Sequence, residues 1–151
     1  MYDHAELARQ LFLSGYNCSQ AVFCAFCDVT GLDIDTAARM ASSFGGGLAR
    51  MRQVCGTVSA AALVLGILRG YSEPNNARLK REHYHLVQDF ARRFREENGS
   101  IVCGELLRGV DVVPGNDPEE RTDEYYRRRP CPRLAWSAAR ILDEMLEFTQ
   151  N

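Results

Sequence analysis

Residues 55–70 read CGTVSAAALVLGILRG. The apolar run closed by glycine predicts a helix over residues 55–69 that ends at Gly70. Its apolar stretch, residues 58–68, is interrupted by Ser59. That is too short for a bilayer, which needs about 20 apolar residues. Cys55, Ser59, Ala62 and Gly66 recur every three or four positions. They form a stripe of small side chains on which another helix backbone can lie close. Such packing suits a helix bundle or a homodimer interface.

Helical signals continue on both sides of this segment. Upstream, residues 3–13 carry Leu7, Leu11 and Phe12 on one side, and Ser14-Gly15 ends them. Asn17 is a good N-cap for a second helix running to about Val29, which Gly31 ends. Asp33 or Asp35 caps a short third helix through Ser42, and the glycine run 45–47 follows it. Downstream, residues 74–97 form a charged amphipathic helix with Leu79, Leu86, Phe90 and Phe94 near one stripe. Asn98 and Gly99 terminate it, and Ser100 caps a short helix to Arg108. Residues 109–129 form the longest irregular stretch, with a helical turn or two over 119–127. It is read either as a flap or partner surface, or as a solvated connection. Pro132 opens a last helix to about Phe148. No strand pattern competes, so residues 1–151 are expected to form an all-α, compact single-domain bundle of about six to seven helices.

Hydrophobic residues make up 46% and charged residues 25% of the 151, as in ordinary globular domains. A formal net charge of −2 gives no bulk electrostatic case for a nucleic-acid or membrane partner. The first fifteen residues, MYDHAELARQLFLSG, lack both a basic start and a clean apolar run. No secretion signal is therefore read there, and a cytoplasmic location is expected. Thiols are normally kept reduced in that compartment.

Six cysteines in such a chain point to metal or catalysis before structural disulfides. Cys18, Cys55, Cys103 and Cys131 each fall in the first turn of a different predicted helix. Unpaired backbone N–H groups and the positive end of the helix dipole favour a thiolate there. Gly56, beside Cys55, lets a backbone N–H approach a bound group. Gly45, Gly46 and Gly47 can fold into an anion-binding nest, although the lysine-bearing phosphate-loop spacing is absent. Arg127, Arg128 and Arg129 precede Cys131 and read first as a solvated charge run. Cys24 and Cys27 read as core packing inside the second helix. His83 and His85 diverge on their helix, and His4 lies near a fraying terminus.

Four dispersed cysteines converging on one site have three uses. They can ligate an iron–sulfur cluster, whose usual ligand set is four thiolates. They can hold zinc, though zinc sites usually draw on closely paired cysteines. The separations here are 37, 48 and 28 residues. They can also work as metal-free thiol–disulfide groups exchanging with a redox partner protein. The protein is then an oxidoreductase, an electron-transfer component, or a zinc-binding or structural interaction protein.

These pieces together resemble the C_GCAxxG_C_C family, described as redox-active and named for its spaced cysteines. The matching pieces are residues 15–21 (GYNCSQA), 44–47 (FGGG), 55–60 (CGTVSA), 65–66 (LG) and 103–106 (CGEL), with Cys131 before the closing helix. Thr57 and Ala60 depart from the family pattern, both by small residues. The resemblance implies that Cys18, Cys55, Cys103 and Cys131 are the shared four and that Cys24 and Cys27 are not. A related module is expected in split-Soret type cytochromes, beside iron–sulfur ligation and c-type haems. Cys24 and Cys27 lack the following histidine of a haem-attachment motif, so only the cluster carries over.

Overall fold

The computed structural model describes residues 3–150, with side chains through Glu147. Among these residues the chain forms α1 (His4–Leu13), α2 (Cys18–Ala25), α3 (Cys27–Thr30), α4 (Ile34–Ala41) and a 3₁₀ turn over Ser42–Phe44. It continues with α5 (Gly56–Arg69), α6 (Ala77–Asn98), α7 (Cys103–Leu106), α8 (Asp123–Arg128) and α9 (Cys131–Gln150). The fold is all-α. The only extended pairing among the described residues is an antiparallel bridge between Val54 and Val102.

Nine segments replace the expected six to seven because the short pieces are separate. The second predicted helix stops at Ala25, since Phe26 leaves helical geometry (φ −101°, ψ 15°), and α3 restarts after it. The short helix expected from Ser100 begins instead at Cys103. The Ser100 hydroxyl accepts from Val102 N at 2.9 Å and donates to the Glu105 carboxylate.

Local signals set most other ends. Asp3 Oδ1 accepts from Glu6 N at 2.9 Å and starts α1. Asn17 and Gln20 form a reciprocal capping box at α2, with bonds of 2.9 and 3.0 Å. Gly31 and Gly99 end α3 and α6 in the left-handed conformation.

The middle of the bundle is α2, which packs against α1, α4, α5 and α9. Seven of its eight residues are buried. Helices α1 and α9 lie together, and their buried positions include Ala5, Ala8, Ala135, Ala138 and Ala139. Such small side chains let two backbones approach closely. Phe23, Phe26, Phe90, Phe94, Leu65 and Leu142 fill the space between helices.

The small-residue stripe on α5 does not pack as expected. Its fully buried side chains are Thr57, Ala60, Ala61, Val64 and Leu65. Ser59 and Ala62 are only half-buried, and Gly66 is exposed with no heavy atom within 4 Å of a Cβ built on it. The inward face is offset from the stripe: it carries the small Thr57, Ala60 and Ala61 beside Val64 and Leu65, while Ile67 is exposed.

Candidate functional site

Cys18, Cys103 and Cys131 are the first residues of α2, α7 and α9, and Cys55 is the N-cap residue of α5. All four thiols line one cavity of about 350 Å³. No disulfide joins them. Backbone pairing brings two of them together, because residues 52–55 run against residues 101–104. Cys103 N donates to Gln53 O at 2.6 Å, and Cys55 N donates to Ile101 O at 2.7 Å. Cys18 and Cys131 belong to a second apolar cluster with Phe12, Ala21 and Tyr125.

The glycines near these thiols are places of close approach. A Cβ on Gly56 would stand 2.6 Å from Cys18 Sγ and 2.7 Å from Phe44 O. A Cβ on Gly47 would stand 2.7 Å from the Cys103 Cβ. Backbone N–H groups of Gly46, Ser19 and Gly56 are directed at the Cys18 sulfur. Gly45 lies against the Asn17 side chain, outside this set of donors.

After the glycines the chain turns left-handed. Leu48, Ala49, Arg50 and Arg52 have φ of 68°, 48°, 64° and 61°. Each such L-residue costs about 1–2 kcal/mol. Bonds from Arg52 N to Gly46 O (3.0 Å) and Gln53 N to Gly47 O (2.8 Å) hold the turn. Strain of this kind is often stored at functional sites. Here the turn delivers Arg50 and Arg52 to the cavity wall.

Among the described residues, four guanidinium groups line the cavity, from Arg50, Arg52, Arg121 and Arg129, against the single carboxylate of Glu119. Arg52 Nη1 donates to Cys103 Sγ at 3.7 Å. Arg129 is buried, pairs with Glu119, contacts the Cys131 side chain and lies 4.8 Å from the Tyr125 ring centroid. Arg121 donates to the carbonyls of Phe12 (3.1 Å) and Tyr16 (3.2 Å) and stacks 4.4 Å over Phe12.

The reading of Arg127, Arg128 and Arg129 as one solvated run therefore holds for the first two only. Arg127 and Arg128 are exposed and pair with Glu124. Arg129 turns inward where α8 ends and the chain enters α9. The irregular stretch before α8 is not a free connection either, since Asn116, Pro118 and Glu119 wall the cavity.

Burial pushes the Cys18 thiol up from its ordinary value, opposed by the three N–H donors. Burial also raises Cys55 strongly, with the Cys18 charge adding to it. The Thr57 hydroxyl, one of the departures from the family pattern, lies 3.0 Å from Cys55 Sγ. Cys131 is pushed up to about 12, chiefly by burial and then by Cys18. The helix starts alone favour thiolates, so desolvation outweighs the dipole here.

No three His, Cys, Asp or Glu side chains among the described residues are grouped closely enough to hold one metal ion.

A family model described as "Putative redox-active protein (C_GCAxxG_C_C)" matches residues 16–145. The chain belongs to the C_GCAxxG_C_C family. The matched span contains all four cavity cysteines and the left-handed turn. No curated protein and no solved structure matches the chain. No helix among the described residues is long and apolar enough to cross a membrane.

Cys24 and Cys27 stand apart from the cavity, in or against the main core. The Phe26 break puts them in different helices. Burial raises the Cys24 thiol to about 11, and its Sγ lies 3.8 Å from Ile34 O.

The sequence reading missed a second polar centre. His4 is buried, not frayed. Its Nδ1 lies 2.7 Å from Asp143 Oδ1, and its Nε2 lies 2.9 Å from both Asp28 oxygens. The ring stacks on Phe26 at 4.2 Å. The partners are 24 and 139 residues away, so no local pattern announces them.

Proposed function

We propose that the cavity holds an iron–sulfur cluster on Cys18, Cys55, Cys103 and Cys131, and that the protein transfers electrons through it. The observation that carries this reading is the presence of four thiols, from four separate elements, on the wall of one cavity. The surroundings fit such a group. Arg52 and Arg129 stand beside Cys103 and Cys131, where cations offset the charge of metal-bound thiolates. Backbone N–H groups at Cys18 and the Thr57 hydroxyl at Cys55 supply hydrogen bonds to sulfur, which tune reduction potential.

Two features favour a cluster over the other readings. Zinc sites usually draw on closely paired cysteines, and the four here are separated by 37, 48 and 28 residues. Metal-free exchange needs an accessible thiolate, yet burial raises Cys18, Cys55 and Cys131. Metal binding overcomes that penalty because it deprotonates its ligands. When bound, the cluster supplies one-electron chemistry. The chain's own residues ligate it, exclude water and balance its charge.

Anaerobic purification, with iron and acid-labile sulfide measured per chain and a visible spectrum, tests the reading. Serine at any of the four positions is expected to lower iron content, whereas Cys24→Ser and Cys27→Ser leave it unchanged. A colourless, iron-free protein from anaerobic cells would overturn it. Stoichiometric zinc would favour the zinc reading. Reversible oxidation of two of the four thiols in iron-free protein would favour exchange chemistry.

A further inference from the structure

The cluster accounts for the arginines that touch thiols, but not for Arg50. Arg50 lines the same cavity, 63 residues in sequence from the loop it binds. Its Nη2 donates to Val113 O at 2.7 Å. Its Nη1 is buried without a hydrogen-bond partner among the described residues. Shielding a charged donor from water without a partner is unfavourable, and native structures seldom do so without a reason.

The backbone works to keep the residue there. Arg50 is held at φ 64° inside the left-handed turn. A Cβ on Gly46 would meet the Arg50 Cα and Cγ at 2.9 Å, so the glycine makes room for it. A buried, unpaired guanidinium nitrogen and a strained backbone thus coincide in a residue that lines the cavity.

From this geometry we infer that the cavity binds a small organic acid, with its carboxylate on Arg50. The planar guanidinium fork matches a carboxylate. Asn116 lines the same cavity and offers a neutral polar group. The carbon skeleton has apolar wall to meet in Leu106, Leu107 and Pro118. The whole cavity is about 350 Å³ and includes the wall of four thiols, so the acid must be small. Glu119, the one carboxylate on the lining among the described residues, pairs with Arg129, which leaves Arg50 to favour an anion over a neutral ligand. Binding in this sense does not depend on the cluster. If the cluster reading holds, the acid lies in the same chamber as the redox group and is a candidate substrate.

Isothermal titration calorimetry on the purified full-length protein tests this, with succinate and propionate as probes. Succinamide, propionamide and inorganic phosphate serve as comparisons. The expected result is saturable binding of at least one acid, weak or absent binding of the amides, and loss of about tenfold or more in affinity in Arg50→Gln. Arg50→Lys, which keeps the charge and loses the fork, is expected to fall between. Saturable binding of neither acid overturns the proposal. Equal binding of acids and amides, preference for phosphate, or full affinity in a folded Arg50→Gln also overturns it. If Arg50→Gln does not fold, the acid–amide comparison on the unaltered protein and the Arg50→Lys titration still decide. Iron content measured on the same sample separates this outcome from that of the cluster reading.

Discussion

Replacing Gly56 by alanine sets two physical effects against each other, and the structure determines the sign. Helix propensity alone favours the change, since alanine exceeds glycine by about 1 kcal/mol in a helix interior. Gly56 is the first residue of α5, where less of that gain is realised. Against it stands the new methyl, 2.6 Å from Cys18 Sγ, 2.7 Å from Phe44 O and 3.2 Å from Ser19 Cβ. One of these is backbone, and the others belong to buried residues of α2, so none can swing aside cheaply. Overpacking of this kind costs about 1–3 kcal/mol. The net expectation is a loss of about 1–2 kcal/mol, a fall in Tm of roughly 3–6 °C for a chain of this size. Gly66→Ala in the same helix is the matched control. It is exposed and has nothing within 4 Å of the built Cβ, so propensity acts alone. It should gain about 0.5–1 kcal/mol. Urea or thermal unfolding of both variants reads the difference. A Gly56→Ala protein as stable as the unaltered chain, with Cys18 reactivity unchanged, would refute the close approach of α5 to Cys18.

The remaining expectations concern the two buried charge centres. Burial alone lowers the His4 pKa, but hydrogen bonds and charges from Asp143 and Asp28 more than reverse this, raising it above 6.5. Its stabilisation is therefore complete below about pH 6.5 and is lost as pH rises through the raised value. Unfolding free energy measured across that window should fall, and His4→Gln should flatten the curve; a slope unchanged in the variant would refute it. Glu119→Gln leaves Arg129 buried without its carboxylate and should cost about 3–5 kcal/mol in unfolding free energy. Glu119→Gln combined with Arg129→Met should recover much of that loss, whereas a double variant no better than the single would refute uncompensated charge as the cause.

Features set by near neighbours were legible in the sequence. Asn17 with Gln20, Gly31, Gly70 and Gly99 mark helix ends through bonds or conformations spanning a few residues. The same local signals put Cys18, Cys55, Cys103 and Cys131 at helix starts. The Phe26 break was not legible, because no glycine or proline marks it and the apolar pattern runs through it. Nor was the inward face of α5. Small residues at helical spacing suggested one face, whereas packing buried the adjacent one, with Val64 and Leu65.

The charged side chains divide most clearly. Arg127, Arg128 and Arg129 are alike in sequence, yet only Arg129 enters the cavity. His4 looked peripheral until Asp28 and Asp143 came to it from α3 and α9. By itself the sequence determined that the chain is helical and that four thiols stand at helix starts, because caps and periodicity act over one or two turns. Only the tertiary structure decided that those thiols share one chamber, that burial outweighs the helix dipoles on three of them, and which arginines face them. Those outcomes depend on desolvation and on partners far apart along the chain, and neither is written in a local pattern.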